Sequence, residues 1–137
     1  MAGRRGPNRR RLSLWAPVVV WAAVIFALSS IPSLSTGLGT WDLLLRKLAH
    51  VVEFAILGAL LLRALRREPF AVALGAAYAA TDEVHQAFVG GREGAPLDWL
   101  IDVVGVVAGV ILLSRARKRA TPWPGLRSSE RPGATRP

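Results

Sequence analysis

The chain contains no cysteine, which excludes disulfides and thiolate metal sites. Three patterns of soluble enzyme chemistry are also missing: His-Glu-x-x-His, the phosphate-binding loop and the nucleophile elbow. Acidic residues are few, with 9 Asp and Glu against 18 Lys and Arg, for a net charge of +9. Such an excess suits nucleic acid in some proteins. Here the basic residues flank long apolar blocks instead, so no nucleic-acid partner is expected.

Apolar residues make up 52% of the 137 positions and the mean hydropathy is +0.35. Their distribution is more informative than their number. After a basic leader, 1–13, with Arg4, Arg5, Arg9, Arg10 and Arg11, the first apolar block runs from Leu14 to Ile31. Pro17 falls in its first turn, where a missing N–H costs little. Trp15 and Trp21 suit the membrane interface. A cleaved signal peptide is the rival reading, but no clear small-x-small cleavage site follows. Further blocks span Leu43–Leu65, Phe70–Val89 and Leu97–Leu113, separated by turn-forming segments. Each is close to the roughly 20 residues that cross a bilayer.

These blocks predict an all-α, polytopic bundle of four transmembrane helices over 14–113, followed by a basic disordered tail over 114–137. The leader, the turn with Arg63, Arg66 and Arg67, and the tail with Arg115, Arg117, Lys118 and Arg119 are alternate ends of a four-pass chain. The positive-inside rule then puts both termini in the cytoplasm.

Ionisable residues gather at the opposite end. Arg46, Lys47, His50 and Glu53 open the second block; Asp82, Glu83, His85 and Gln86 close the third; Arg92 lies in the next turn; Asp98 and Asp102 open the fourth. At about 1.5 Å rise per residue, Glu53 lies about 10 Å below Arg46. An acidic group at a helix centre costs roughly 2.5–3.5 kcal/mol, less near the surface, so submerged carboxylates should face protein or a wet cavity. At about 100° per residue, Arg46, His50 and Glu53 share a face. So do Tyr78, Asp82, His85 and Gln86, with Glu83 at the flank. Asp98, Asp102, Gly105 and Gly109 form one stripe, and its small-xxx-small spacing predicts close packing of the third and fourth helices. The alternative is that Gly105 and Gly109 drive homodimerisation.

Glu53, Asp82, Glu83, Asp98 and Asp102 face three fixed cations, Arg46, Lys47 and Arg92. The two excess charges require protonated His50 and His85, protonated carboxyls or a bound cation; a divalent metal would satisfy them. The plainer alternative is a salt-bridge network that fastens helix ends. Candidate catalytic residues are His50, Asp82 and Glu83. Candidate substrate-binding residues are Lys47, Gln86 and Arg92, and candidate metal ligands are Asp98, Asp102 and Glu53. Ser29 and Ser30 end the first block and could act as nucleophiles near His50 or His85, although serines there more often cap or pack.

Several pieces in order carry a resemblance: Phe26-Ala27-Leu28-Ser29-Ser30-Ile31-Pro32, Lys47-x-x-His50, Asp82-Glu83-x-x-Gln86, Gly91-Arg92, and Asp98-x-x-x-Asp102-x-x-Gly105-x-x-x-Gly109. Together they span about residues 24 to 112. Across them the chain resembles the VanZ-like membrane proteins, named for an accessory protein of teicoplanin resistance in Gram-positive bacteria. The family commonly has Asn where Asp102 stands, which makes this cluster more acidic than the family pattern. The resemblance implies a bacterial plasma-membrane protein linked to the cell envelope or to glycopeptide tolerance. Three functions fit: handling an anionic lipid or lipid-linked wall precursor at the outer leaflet, a noncatalytic partner or scaffold for another envelope protein, or a metal-dependent intramembrane hydrolase.

Overall fold

The computed structural model describes residues 7–31, 40–89 and 96–120. Four helices account for nearly all of them: α1 (Pro7–Ser29), α2 (Thr40–Leu65), α3 (Glu68–Ala87) and α4 (Pro96–Ala120). No strand occurs among the described residues. The all-helical, four-helix expectation holds, with two changes at its borders. α1 begins in the basic leader, seven residues before Leu14, so Pro17 lies inside the helix rather than in its first turn. A mid-helix proline cannot donate to the carbonyl four residues earlier. Here that carbonyl is Ser13 O, which Arg63 Nη2 of α2 approaches at 3.5 Å. α4 in turn continues past Leu113 to Ala120. Its last turn carries Arg117, Lys118 and Arg119, cations that favour the negative end of a helix dipole. The part of the expected tail beyond Ala120, and Gly91 and Arg92, lie outside the described residues.

Three of the helices, α1, α2 and α4, are long and apolar enough to cross a membrane. α3 is not among them by composition. It has 20 residues, with Glu68 at one end and Asp82, Glu83 and His85 at the other.

Side-chain pairings fix the directions of the helices. Lys47 meets Asp98, and His50 meets Asp102. Gly105 lies against Val51, and Gly109 against Ala55. Both residue numbers rise together, so α2 and α4 run parallel. By the same argument α1 and α3 are parallel: Tyr78 reaches Ala22 and Asp82 reaches Ser29. α1 and α2 are antiparallel, because Arg63 approaches Ser13 whereas Trp21 bonds Glu53 O. α3 and α4 are also antiparallel, because Glu68 accepts from Ser114 and Trp99 donates to Ala76 O. The bundle runs up-down-up-down, and the described chain begins and ends at the same end.

The short α2–α3 turn is set by two residues. Arg66 takes a left-handed conformation, with φ of 59°, and its N–H bonds Leu62 O to close α2. Arg67 is extended, and Pro69 in the first turn of α3 needs no N–H partner there.

Close packing centres on α2 and α4, not on α3 and α4 as the small-residue stripe suggests. A Cβ at Gly105 would sit 2.7 Å from Val51 O, and one at Gly109 would collide with Ala55 O. Gly58 of α2 reciprocates against the backbone of Val106. On its other side Val106, fully buried, fills the space at Gly75 of α3, where a Cβ would lie 2.5 Å from Val106 Cγ1. The α4 glycines are therefore used within the chain, which removes them as a homodimer face. Phe54, Leu57 and Leu61 of α2, Ile25 of α1 and Ala79 of α3 complete the core.

Replacing Gly109→Leu should force α2 and α4 apart and cost roughly 1–3 kcal/mol or more, as overpacking does. Leu112→Ala, on an exposed position, should stay within about 0.5 kcal/mol. Denaturation of the purified protein in mixed detergent micelles distinguishes the two.

Candidate functional site

At the end opposite Arg63, Arg66 and Arg117, all four helices contribute polar side chains to one buried cluster. Asp82 of α3 is 2% exposed and Asp102 of α4 is 1% exposed. Burial of a carboxylate is tolerated only with compensation. Asp82 Oδ2 has two donors: Ser29 Oγ of α1 at 2.8 Å and Gln86 Nε2 at 2.6 Å. Gln86 lies one turn along α3 from Asp82, and the same amide reaches Ser29 Oγ at 3.3 Å. Asp102 Oδ1 lies 3.1 Å from His50 Nδ1 of α2. The second oxygen of each, Asp82 Oδ1 and Asp102 Oδ2, is buried with no hydrogen-bond partner among the described residues.

A ring nitrogen of His50, one oxygen of Asp82 and one of Asp102 all lie within 4.8 Å of one another. His50 stacks beside Phe54, with ring centroids 6.3 Å apart, and Phe54 in turn packs on Tyr78. The Tyr78 hydroxyl is used by Ala22 O at 2.5 Å, which ties α3 to α1 just below Asp82. One turn outward from His50 and Asp102, Lys47 Nζ meets Asp98 Oδ1 at 2.6 Å. This pair is part-exposed, at 31% and 41%, and sits at the outer side of the cluster.

The candidate residues therefore divide. His50, Asp82 and Asp102 come together, and Gln86 serves them by holding Asp82. Of the three metal candidates, Asp102 alone belongs to this group: Asp98 is paired with Lys47, and Glu53 is not a member of it. Trp21 of α1 donates to the Glu53 carbonyl, at 2.9 Å. Glu83 is half-buried on α3, outside the group of three. Lys47 pairs with Asp98. Arg92 lies outside the described residues.

The serines also separate. Ser30 Oγ donates to Phe26 O at 2.7 Å and lies 2.9 Å from His85 Nε2. His85 stacks on Phe26, with centroids 4.1 Å apart. Ser29 acts as a buried support for Asp82, a role its position at the end of α1 did not disclose. Gly58 was missed as well, although a lone glycine in the leucine-rich α2 was the available signal.

The family described as VanZ/LLP1 matches residues 6–117. The chain belongs to the VanZ/LLP1 family. The match covers all four helices apart from the last residues of α4. Neither curated proteins nor solved structures returned a match. Membership together with three apolar helices of spanning length makes this VanZ-like chain a multi-pass membrane protein.

Ser29→Ala should cost roughly 1–3 kcal/mol, because Asp82 stays buried with one donor fewer. Lys47→Met should cost no more than about 1 kcal/mol, because its partner is part-exposed and can be hydrated. Unfolding of both variants in detergent micelles ranks them; equal losses would contradict the assigned burial.

Proposed function

We propose that this VanZ-like protein spans the bacterial plasma membrane four times, with both termini in the cytoplasm. Its polar cluster then lies at the extracytoplasmic end and handles an anionic lipid or wall-precursor group. The observation that carries this reading is the convergence of His50, Asp82, Asp102 and Ser29 from four different helices at one end. The up-down-up-down directions support a fourth crossing. α3, at 20 residues and about 1.5 Å each, is about 30 Å long, the thickness of the hydrocarbon. Its submerged Asp82 and Gln86 face the bundle rather than lipid.

Charge supports the orientation. Arg63, Arg66 and Arg117, with Leu14, line a cavity of about 410 Å³ at the end where the described chain begins and ends. Guanidinium groups there suit the anionic headgroups of the cytoplasmic leaflet. At the other end the Lys47–Asp98 pair lies between the buried group and the surface. An arriving phosphate or carboxylate would exchange with Asp98 for Lys47. His50 supplies the imidazole of the site, a group able either to take up a proton or to hold a cation. The link to glycopeptide tolerance comes from the family and belongs to this proposal.

Two arms of one experiment test it. With no native cysteine, Phe88→Cys should react with an impermeant maleimide on intact cells, and Arg67→Cys only after permeabilisation. In a bacterial host whose teicoplanin susceptibility shifts on expression of the chain, His50→Ala and Asp82→Asn should abolish the shift at unchanged protein level. Reversed labelling, or full effect in both variants, contradicts the proposal.

A further inference from the structure

We propose that His50, Asp82 and Asp102 form a three-ligand site for one divalent cation of the Mn²⁺ or Zn²⁺ kind. The inference deepens the reading above, since it assigns the chemistry of the same pocket.

Geometry carries it first. The three donor atoms come from α2, α3 and α4 and lie within 4.8 Å of one another. A triangle with 4.8 Å edges has its corners about 2.8 Å from its centre, a few tenths of an ångström beyond Ca–O bonds of roughly 2.3–2.6 Å. Small inward movements bring the same atoms to the roughly 2.0–2.2 Å bonds of Zn²⁺.

The second support is the pair of unpartnered oxygens. Asp82 and Asp102 are 2% and 1% exposed, and Asp82 Oδ1 and Asp102 Oδ2 accept no hydrogen bond among the described residues. A fully buried carboxylate oxygen without a donor is costly in any structural network. The salt-bridge alternative leaves both of them unexplained, because Lys47 is spent on Asp98 and His50 Nδ1 bonds the other Asp102 oxygen. Among the described residues, His50 is the ionisable cation hydrogen-bonded to this pair of buried carboxyls, and two carboxylates here would leave negative charge for a bound cation to meet. A divalent ion would meet it and give the unpartnered oxygens a ligand to bind.

The surroundings resemble the outer shell of metal sites. Ser29 and Gln86 bond Asp82 through Oδ2 alone, which fixes the carboxylate and leaves Oδ1 available. One imidazole with two carboxylates favours Mn²⁺ or Zn²⁺ over the all-oxygen preference of Mg²⁺. Three protein ligands leave a position for water or for an oxygen of a phosphate, the arrangement of catalytic rather than structural metal sites.

The test uses the full chain, purified in detergent, stripped with a chelator and reloaded with Mn²⁺ or Zn²⁺ alone, with no lipid added. Metal analysis after gel filtration should give one ion per chain. Loss of the free Mn²⁺ paramagnetic resonance signal should yield a dissociation constant that rises at least tenfold in His50→Ala, Asp82→Asn and Asp102→Asn. Glu68→Gln, at the basic end, should bind as wild type. If the pocket variants fail to fold, the wild type still decides: its thermal midpoint should rise with added ion. No bound ion at millimolar Mn²⁺ and Zn²⁺ overturns the proposal in favour of carboxyls that share a proton. Wild-type affinity in folded Asp82→Asn also overturns it. Failure of the lipid reading appears in the susceptibility assay, so the two outcomes are separable.

Discussion

Two carboxylates held out of water between helices set the terms for the rest of this protein. Asp82 and Asp102 can be buried only because other helices bring donors to them. Ser29 comes from α1 and His50 from α2, while Gln86 is one turn further along α3. This requirement fixes the register of all four helices at one end. The glycine contacts just below it have the same effect from the apolar side. Gly58, Gly105 and Gly109 let α2 and α4 approach backbone to backbone, and Val106 wedges against Gly75 of α3. Within a bilayer such packing replaces the hydrophobic effect as the force between helices, because lipid tails are as apolar as leucine.

The molecule is divided along its length. One end gathers guanidinium groups around a cavity, with Leu14 as the apolar member. The other gathers carboxylates, imidazoles and one committed lysine. Between them the core is almost entirely apolar: Ile25, Phe54, Leu57, Leu61 and Val106. In the orientation proposed above, the basic end meets the anionic inner leaflet and the carboxylate end lies outward. α3 shows how function modifies the structural rule. It carries the acidic residues that remove it from the apolar spanning helices, yet its buried face is Ala71, Gly75, Ala79, Asp82 and Gln86, turned toward the other three.

Much of this was legible in the sequence, for identifiable reasons. The apolar blocks disclosed four helices because hydrocarbon thickness dictates their length. The i, i+4 spacing of Asp82 and Gln86, and of Asp98 and Asp102, disclosed faces. Partner choice was less visible. Periodicity says which residues share a helix face but not which helix that face meets. The Gly105–Gly109 stripe therefore points to a close neighbour without naming it, and α2, not α3, occupies it. For the same reason spacing alone puts Asp98 and Glu53 on a par with Asp82 as partners of Asp102, whereas in the fold Asp98 pairs with Lys47 and Asp82 joins Asp102 and His50. The helical extension of α1 into the arginine-rich leader was hidden by its polarity, since apolar content marks membrane crossings and not helix ends.

The convergence of His50, Asp82 and Asp102 is open to direct measurement by solid-state NMR of the protein in lipid bilayers. With ring-nitrogen labels on histidine, His85→Asn leaves His50 as the sole signal. Dipolar recoupling to aspartate carboxyl carbons should show His50 close to two carboxyls, and Asp102→Asn and Asp82→Asn should identify them as these two. A His50 ring with no nearby carboxyl carbon, or with its couplings unchanged in both variants, would contradict the account.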